Sequence, residues 1–234
     1  MPSSESQTAP AEVAFLLDVD NTLVDTDRAK RDLDIQVEQL VGPERAAHFW
    51  ELYEAVRREL DCVNVPQTLR RFQARFPDEQ RVPQLFALLL QYPFENWLYP
   101  GALDTIAHLR SLGAVAIVSD GDPIFQPVKI ARAGLADAVD DRVFVFRHKE
   151  EHLEEVMRLL PARRYVLVDD KPRILAAAKA RLRNRLFTLH VRQGAYARAA
   201  ARDGYPPADR DLATIADLAA LGPADFGGRV NHEG

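Results

Sequence analysis

Val13-Ala-Phe-Leu-Leu-Asp18-Val-Asp20-Asn-Thr22 is the stretch on which the reading of this chain turns. From Val13 to Leu17 the residues are all apolar, with no polar alternation. Such a run marks a short strand buried on both faces, as in a parallel sheet covered by helices on each side. It then breaks into Asp18 and Asp20, a pair of carboxylates at the carboxyl end of the strand.

The same punctuation recurs downstream. Ala114–Val118 predicts a second buried strand, ending in Ser119-Asp120-Gly121-Asp122. Arg142–Phe146 predicts a third, running into Arg147-His148-Lys149. Tyr165–Val168 predicts a fourth, ending in Asp169-Asp170, and Arg185–Val191 a fifth. Helical periods fill the intervals: 102–112 before Gly113, a helix opened by Asp122-Pro123 and stopped at Gly134, 150–160, Pro172 to about 183, and 211–221 before Gly222. Strands alternating with helices specify an α/β fold with a Rossmann-like parallel sheet. Ligands of such sheets bind beyond the carboxyl ends of the strands. The polar residues that follow strands are therefore the candidates for chemistry.

Between Asp25 and Asn96 the texture differs. The segment is highly charged and helical in period, with apolar residues at Ile35, Val37, Leu40 and Val41, then Phe49, Leu52, Tyr53 and Val56, then Leu69, Phe72 and Phe76. Breakers stand at Gly42-Pro43, Pro66, Pro77 and Pro83. We read four or five amphipathic helices there and no strand. The organisation expected is a disordered tail over 1–12, an α/β core over 13–24 and 97–234, and a helical domain over 25–96.

Bulk properties narrow the function. The chain has 234 residues, 47% of them apolar, enough for one sizeable core with a smaller insert. A net charge of −5, with arginines dispersed, gives no global attraction to nucleic acid or to an anionic membrane. No apolar run approaches the roughly 18 residues that span a bilayer, and the first residues lack a basic start and an apolar stretch. A single cysteine, Cys62, forms neither an internal disulfide nor a thiolate zinc cluster and leans toward a reducing, cytoplasmic setting. Neither G-x-G-x-x-G nor G-x-x-x-x-G-K-[ST] occurs, so no nucleotide cofactor is implied. The sequence leaves the oligomeric state open.

In a parallel sheet the strand ends converge on one rim. That rim would bring together Asp18, Asp20, Asp169 and Asp170 with the hydroxyl of Ser119 and the ammonium of Lys149. Converging carboxylates need positive charge among them, and a hard, oxygen-liganded cation such as magnesium suits them while leaving room for a phosphate. Such a set matches phosphoryl transfer, which needs positioning and charge neutralisation around an in-line displacement. One carboxylate can act as nucleophile, and another, two residues on, as general acid and base.

The same residues carry a family resemblance. Phe15-Leu-Leu-Asp18-Val-Asp20-Asn-Thr22-Leu-Val resembles the first motif of the haloacid dehalogenase-like superfamily, Ser119 the second, Lys149 the third, and Val166-Leu-Val-Asp169-Asp170 the fourth. The motifs stand in the family's order, over about residues 13–221. The resemblance implies that Asp18 is nucleophile and magnesium ligand. Asp20 would be general acid and base, lending its backbone carbonyl to the metal. Ser119, Asp120, Gly121 and Thr22 would surround the phosphoryl group, with Thr22 shaping the turn. Lys149 would stabilise the transferring charge, and Asp169 and Asp170 would complete the metal site. Lys171 is the fallback for Lys149. The segment 25–96 would be a helical cap, which in this family contributes to substrate choice. Dehalogenating members generally lack the second aspartate of the first motif; Asp20 is present here and favours phosphate chemistry. The implied activity is hydrolysis of a small phosphorylated metabolite with Mg2+ as cofactor and no nucleic-acid or membrane partner.

Rival readings remain at this level. A mutase of the superfamily shares the motifs, and a catalytically silent phosphate-binding module would share the fold. A receiver domain has a different motif order and no insert of this size after the first strand. His148-x-x-Glu151-His152 fits a zinc-protease spacing, but no third ligand is evident and it competes for Lys149. Asp140-Asp141 precedes a strand and reads as an exposed loop. Arg57, Arg58, Arg70 and Arg71 read as solvated faces of the insert, with room for one to face the site.

Overall fold

The structure is a computed structural model and describes residues 10–60, 63–195 and 204–226. Its strands are β1 (Ala11–Leu17), β2 (Ala114–Asp120), β3 (Val143–Phe146), β4 (Ala162–Asp169), β5 (Leu186–Val191) and β6 (Arg210–Leu212). They form one six-stranded sheet in the order β3-β2-β1-β4-β5-β6, and every pairing is parallel. The helices are α1 (Thr26–Val41), α2 (Pro43–Leu60), α3 (Val65–Arg75), α4 (Val82–Gln91), α5 (Ala102–Leu112), α6 (Phe125–Arg132), α7 (Leu135–Ala138), α8 (Lys149–Leu159) and α9 (Pro172–Leu182).

The unbroken apolar runs are explained by two cores, one on each face of the sheet. Side chains alternate across a strand. Phe15 and Leu17 of β1, Val115 and Ile117 of β2, and Val166 and Val168 of β4 enter one core, with Ile106 and Leu109 of α5. Ala14 and Leu16, Ala116 and Val118, and Tyr165 and Leu167 enter the other, with Leu153 and Val156 of α8 and Ile174 and Ala178 of α9. The first core continues into the insert through Leu33 and Val37 of α1, Phe49 of α2 and Phe72 of α3. The two chain segments joining insert to sheet are tied together: the Asp25 N–H donates to the Trp97 carbonyl at 2.8 Å, and the Tyr99 N–H to the Leu23 carbonyl at 2.9 Å.

Sequence signals account for many of the element ends. Asp25 caps α1 by accepting from the Arg28 N–H at 2.9 Å, and Asn64 caps α3 through the Gln67 N–H at 2.8 Å. Gly113 ends α5, donating its N–H to the Leu109 carbonyl.

Several expectations are corrected. Ala11 and Glu12, placed in the tail, belong to β1, where Ala11 pairs in register with Ala162. Residues 1–9 of that tail, and Cys62, lie outside the described residues. The helix expected to open at Asp122-Pro123 begins at Phe125, because the Asp122 carboxylate accepts from the N–H groups of Ile124 and Phe125 and closes a turn first. The helix expected over 211–221 does not form. Arg210–Leu212 instead adds to the sheet edge as β6, and Ile215–Ala220 is a 3-10 helix. Leu212, Ile215, Leu218 and Leu221 recur every third residue, and all are buried. That spacing is the period of a 3-10 helix rather than of an α-helix. The sheet accordingly has a sixth strand that hydropathy did not reveal. Among the described residues no helix is long and apolar enough to cross a membrane.

Where α5 turns into β2, a Cβ on Gly113 would stand 2.2 Å from the Val13 carbonyl oxygen, an overlap with backbone that cannot swing away. Gly113→Ala is therefore expected to destabilise the protein by about 1–3 kcal/mol, the usual cost of overpacking. Urea unfolding measures this, and a variant as stable as the wild type would contradict the packing described at the start of β1.

Candidate active site

β1 and β4 are neighbours at the centre of the sheet, where the strand order reverses and a crevice opens beyond the carboxyl ends. The Asp18 N–H donates to the Val168 carbonyl at 3.0 Å, which brings Asp18 alongside the end of β4. One oxygen each from Asp18, Asp169 and Asp170 lies within 4.8 Å of the others, and all three residues are buried. Lys149, the first residue of α8, is fully buried among them. Its ammonium is ion-paired with Asp18 and lies 2.7 Å from Asp169 Oδ2. Burial works against that charge, but Asp169 and Asp18 outweigh it and hold the Lys149 pKa well above the ordinary lysine value.

For Asp18 and Asp170 burial wins instead. Burial raises Asp18, with Lys149 opposing and Asp169 adding to the rise. Asp170 is pushed up to about 9, first by burial and then by the charges of Asp169 and Asp18. Both Asp170 oxygens are buried without a hydrogen-bond partner. Buried polar atoms are seldom left unpartnered. A trio of buried oxygen donors, one of them wholly unpartnered, fits a hard divalent cation such as magnesium.

Asp20 sits apart from this trio and is held from another direction. Thr26 Oγ1 donates to its Oδ1 at 2.6 Å, Gln126 Nε2 to its Oδ2 at 2.8 Å, and Lys129 ion-pairs with it. Burial would raise its pKa, but the Lys129 charge and the hydrogen bonds from Lys129 and Thr26 outweigh burial and hold Asp20 well below the usual carboxylate range. Gln126 also donates to Ser119 Oγ at 2.9 Å, so one amide bridges Asp20 and Ser119. Gln126 and Lys129 lie three apart on one face of α6, and sequence reasoning missed both. The sequence offered only their three-residue spacing on one helix shortly after Ser119; their burial is visible only in the fold.

The remaining predicted residues divide. Ser119 and Thr22 are fully buried, and Thr22 Oγ1 donates to Asp18 Oδ2 at 3.1 Å, beneath the site rather than in its wall. Asp120 accepts from the Lys149 N–H at 2.9 Å and so fixes the start of α8. A Cβ on Gly121 would lie 2.7 Å from Gln126 Cβ, so glycine there lets α6 close on the strand end. The Lys171 N–H donates to Asp169 Oδ1 at 2.8 Å, and its ammonium lies 4.0 Å from Asp120. Burial lowers the Lys171 pKa, but Asp18 and Asp169 raise it further, to a net value above the ordinary one. The zinc spacing does not assemble: His152 stacks on Phe146 at 4.6 Å, and among the described residues the aspartate trio is the group close enough to share a metal. Asp140 and Asp141 are exposed in a turn, as expected, with Arg110 on Asp140.

A cavity of about 570 Å³ opens beside Asp20 and its clasp. Asp20, Asp120, Gly121 and Lys171 line it from the strand ends, while Lys30, Tyr53, Arg57 and Arg58 line it from α1 and α2. Its size is that of a small-molecule site.

Comparison with known proteins places this geometry. A family model described as haloacid dehalogenase-like hydrolase matches residues 13–180. A haloacid dehalogenase-like hydrolase of Burkholderia xenovorans has a similar structure, with 41% identity, a TM-score of 0.87, and coverage of 94% of this chain and 100% of that one. A haloacid dehalogenase-like hydrolase of Xanthomonas campestris shares the fold at 19% identity, a TM-score of 0.64, and 95% coverage of each chain. The L-2-haloacid dehalogenase of Xanthobacter autotrophicus does so at 17% identity and a TM-score of 0.58, covering 89% of this chain and 97% of that one. No curated protein matches the chain.

The raised carboxyls make stability depend on pH. A folded-state pKa of about 9 for Asp170, against an unfolded value near 3.8, means that the folded protein keeps a proton which the unfolded chain has lost. That contribution is fully present below the unfolded pKa and is lost as pH rises through the folded one. Asp18 acts in the same sense, whereas the depressed Asp20 matters only below about pH 4. The melting midpoint of the metal-free protein is expected to fall by several degrees between about pH 5 and about pH 8.5, since each kcal/mol moves a domain of this size by roughly 2–4 °C. Magnesium added at the higher pH should restore it, because a ligand of the folded state stabilises that state. A midpoint indifferent to magnesium at both pH values would count against the aspartate trio as a cation site.

Proposed function

The chain belongs to the haloacid dehalogenase-like hydrolases, and on that premise we propose that it is a magnesium-dependent phosphatase, cleaving phosphate monoesters of small metabolites through an aspartyl-phosphate on Asp18. The observation that carries the reading is the convergence of Asp18, Asp169 and Asp170 around the buried Lys149, with Asp20 standing in the cavity wall. Asp20 also favours phosphate chemistry over carbon–halogen cleavage, since dehalogenating members generally lack a carboxylate at that place.

In this reading the Asp18 carboxylate attacks phosphorus and the ester P–O bond breaks. The leaving alkoxide takes a proton from Asp20. Asp20, now ionised, accepts a proton from the water that cleaves the aspartyl-phosphate, and this releases phosphate and regenerates Asp18. The clasp of Lys129, Gln126 and Thr26 favours the ionised form of Asp20 needed in the second half; in the first half Asp20 must take up a proton and leave the clasp. Lys149, ion-paired with Asp18, opposes the rise that burial gives its pKa, and Ser119 with Lys149 holds the phosphoryl oxygens. Magnesium, when held by Asp18, Asp169, Asp170 and the Asp20 carbonyl, supplies the charge that neutralises the phosphoryl group. Residues 25–96 act as a cap over the core of 13–24 and 97–234. A cytoplasmic setting belongs to the same reading, on the strength of the single cysteine, and no nucleic-acid or membrane partner is required.

Hydrolysis of a generic aryl phosphate tests the chemistry. Wild type should be active with magnesium and silent after EDTA, and magnesium should restore it. Asp18→Asn should be inactive, while Asp20→Asn should be slowed by about 10²–10⁴-fold, the worth of general acid–base catalysis. Wild-type turnover by the Asp18 variant would end this mechanism.

A further inference from the structure

The cavity is far more basic than the chain that forms it. Seven lysines and arginines line it against four carboxylates, in a protein of net charge −5. Part of that excess is already committed. Lys129 is on Asp20, Lys30 is 2.5 Å and Arg57 3.3 Å from Glu54, Arg173 is 2.7 Å from Glu150, and Lys171 lies against Asp120 and the aspartate cluster. Arg58 and Arg147 differ. Both are exposed, and neither makes a hydrogen bond or ion pair with a described residue. They reach the cavity from different parts of the chain, Arg58 from α2 of the insert and Arg147 from the turn directly after β3.

A single phosphoryl group is already provided for by Ser119, Lys149 and the aspartate cluster. Two further guanidinium groups lining one cavity exceed that need. Guanidinium is built to grip phosphate or carboxylate through paired N–H donors. The cavity's small-molecule size and the acidic chain argue against a nucleic-acid polymer, whose binding relies on extended phosphate neutralisation.

We propose that Arg58 and Arg147 form a second anion subsite in the cavity, selecting small phosphate esters that carry a further phosphate or carboxylate. The proposal deepens the phosphatase reading and rests on it for the identity of the reacting group. One arginine comes from the insert and one from the core, so a doubly anionic ligand bridges the two and one with a single phosphate does not.

The test separates binding from turnover. Affinities are measured by calorimetry on Asp18→Asn, at low ionic strength, for matched pairs that differ by one anion. The pairs are glycerol phosphate against phosphoglycerate, fructose 6-phosphate against fructose 1,6-bisphosphate, and glucose 6-phosphate against 6-phosphogluconate. The doubly anionic member of at least one pair should bind about tenfold or more tightly, the worth of one charge-assisted hydrogen bond. Adding Arg58→Met or Arg147→Met should remove most of that preference and leave the singly anionic partner unchanged, while Arg58→Lys retains part of it. Equal affinity within all the pairs, or a preference that survives both methionine variants, overturns the subsite. If the preference holds but wild type turns over no phosphate ester with magnesium, the hydrolase reading fails and the subsite stands.

Discussion

A lysine ammonium buried without water is stable only when carboxylates surround it, and carboxylates crowded at a strand end are stable only when a cation sits among them. Lys149 meets both conditions with Asp18 and Asp169. The cluster depends on the sheet: β1 and β4 must be adjacent and in register for Asp18 and Asp169 to meet, and α8 must start where the Asp120 carboxylate holds the Lys149 N–H. The cost of burying these charges is set against helices covering both faces of the sheet, which exclude water and so strengthen the attraction between the charges. One lysine does not balance the carboxylates, and the unpartnered oxygens of Asp170 are what a divalent cation would satisfy.

The two aspartates of the first motif live in different environments although only one residue separates them. Asp18 is embedded between Lys149 and the β4 carboxylates, where burial raises its pKa. Asp20 turns toward α6, and Lys129 and Thr26 lower its pKa against the same effect of burial. The fold thus pushes two neighbouring carboxyls in opposite directions, Asp18 toward its protonated form and Asp20 toward its ionised form. The insert supplies the other half of the site. Thr26, the first residue of α1, bonds Asp20, and α2 contributes arginines to the cavity wall. Groups from the strand ends and groups from the insert therefore line one space.

Residues 13–22, the strand-end polar groups and the helical insert were legible because each signal is local. An apolar run predicts a doubly buried strand, and a strand end predicts where ligands go. The boundary errors are local too. Asp122 spends its carboxylate on a turn before the helix begins, and the three-residue spacing of Ile215 and Leu218 is met by a 3-10 helix. β6 was hidden because a short edge strand needs no hydrophobic alternation of its own; it is created by pairing with β5.

The sequence by itself determined the α/β alternation, the order of the motifs and the residue types at the strand ends, since these follow from periodicity and from chemistry carried by neighbours along the chain. Tertiary structure alone decided which distant groups touch. Lys129 and Gln126 stand more than a hundred residues from Asp20, and no periodicity links them to it. In the sequence Arg58 is one of four insert arginines with room for one to face the site, and Arg147 simply follows a strand; the fold sets both at one cavity. The physical reason is range: backbone propensity and hydropathy act over a few residues, whereas electrostatic pairing acts through space, and only the packed sheet fixes those distances.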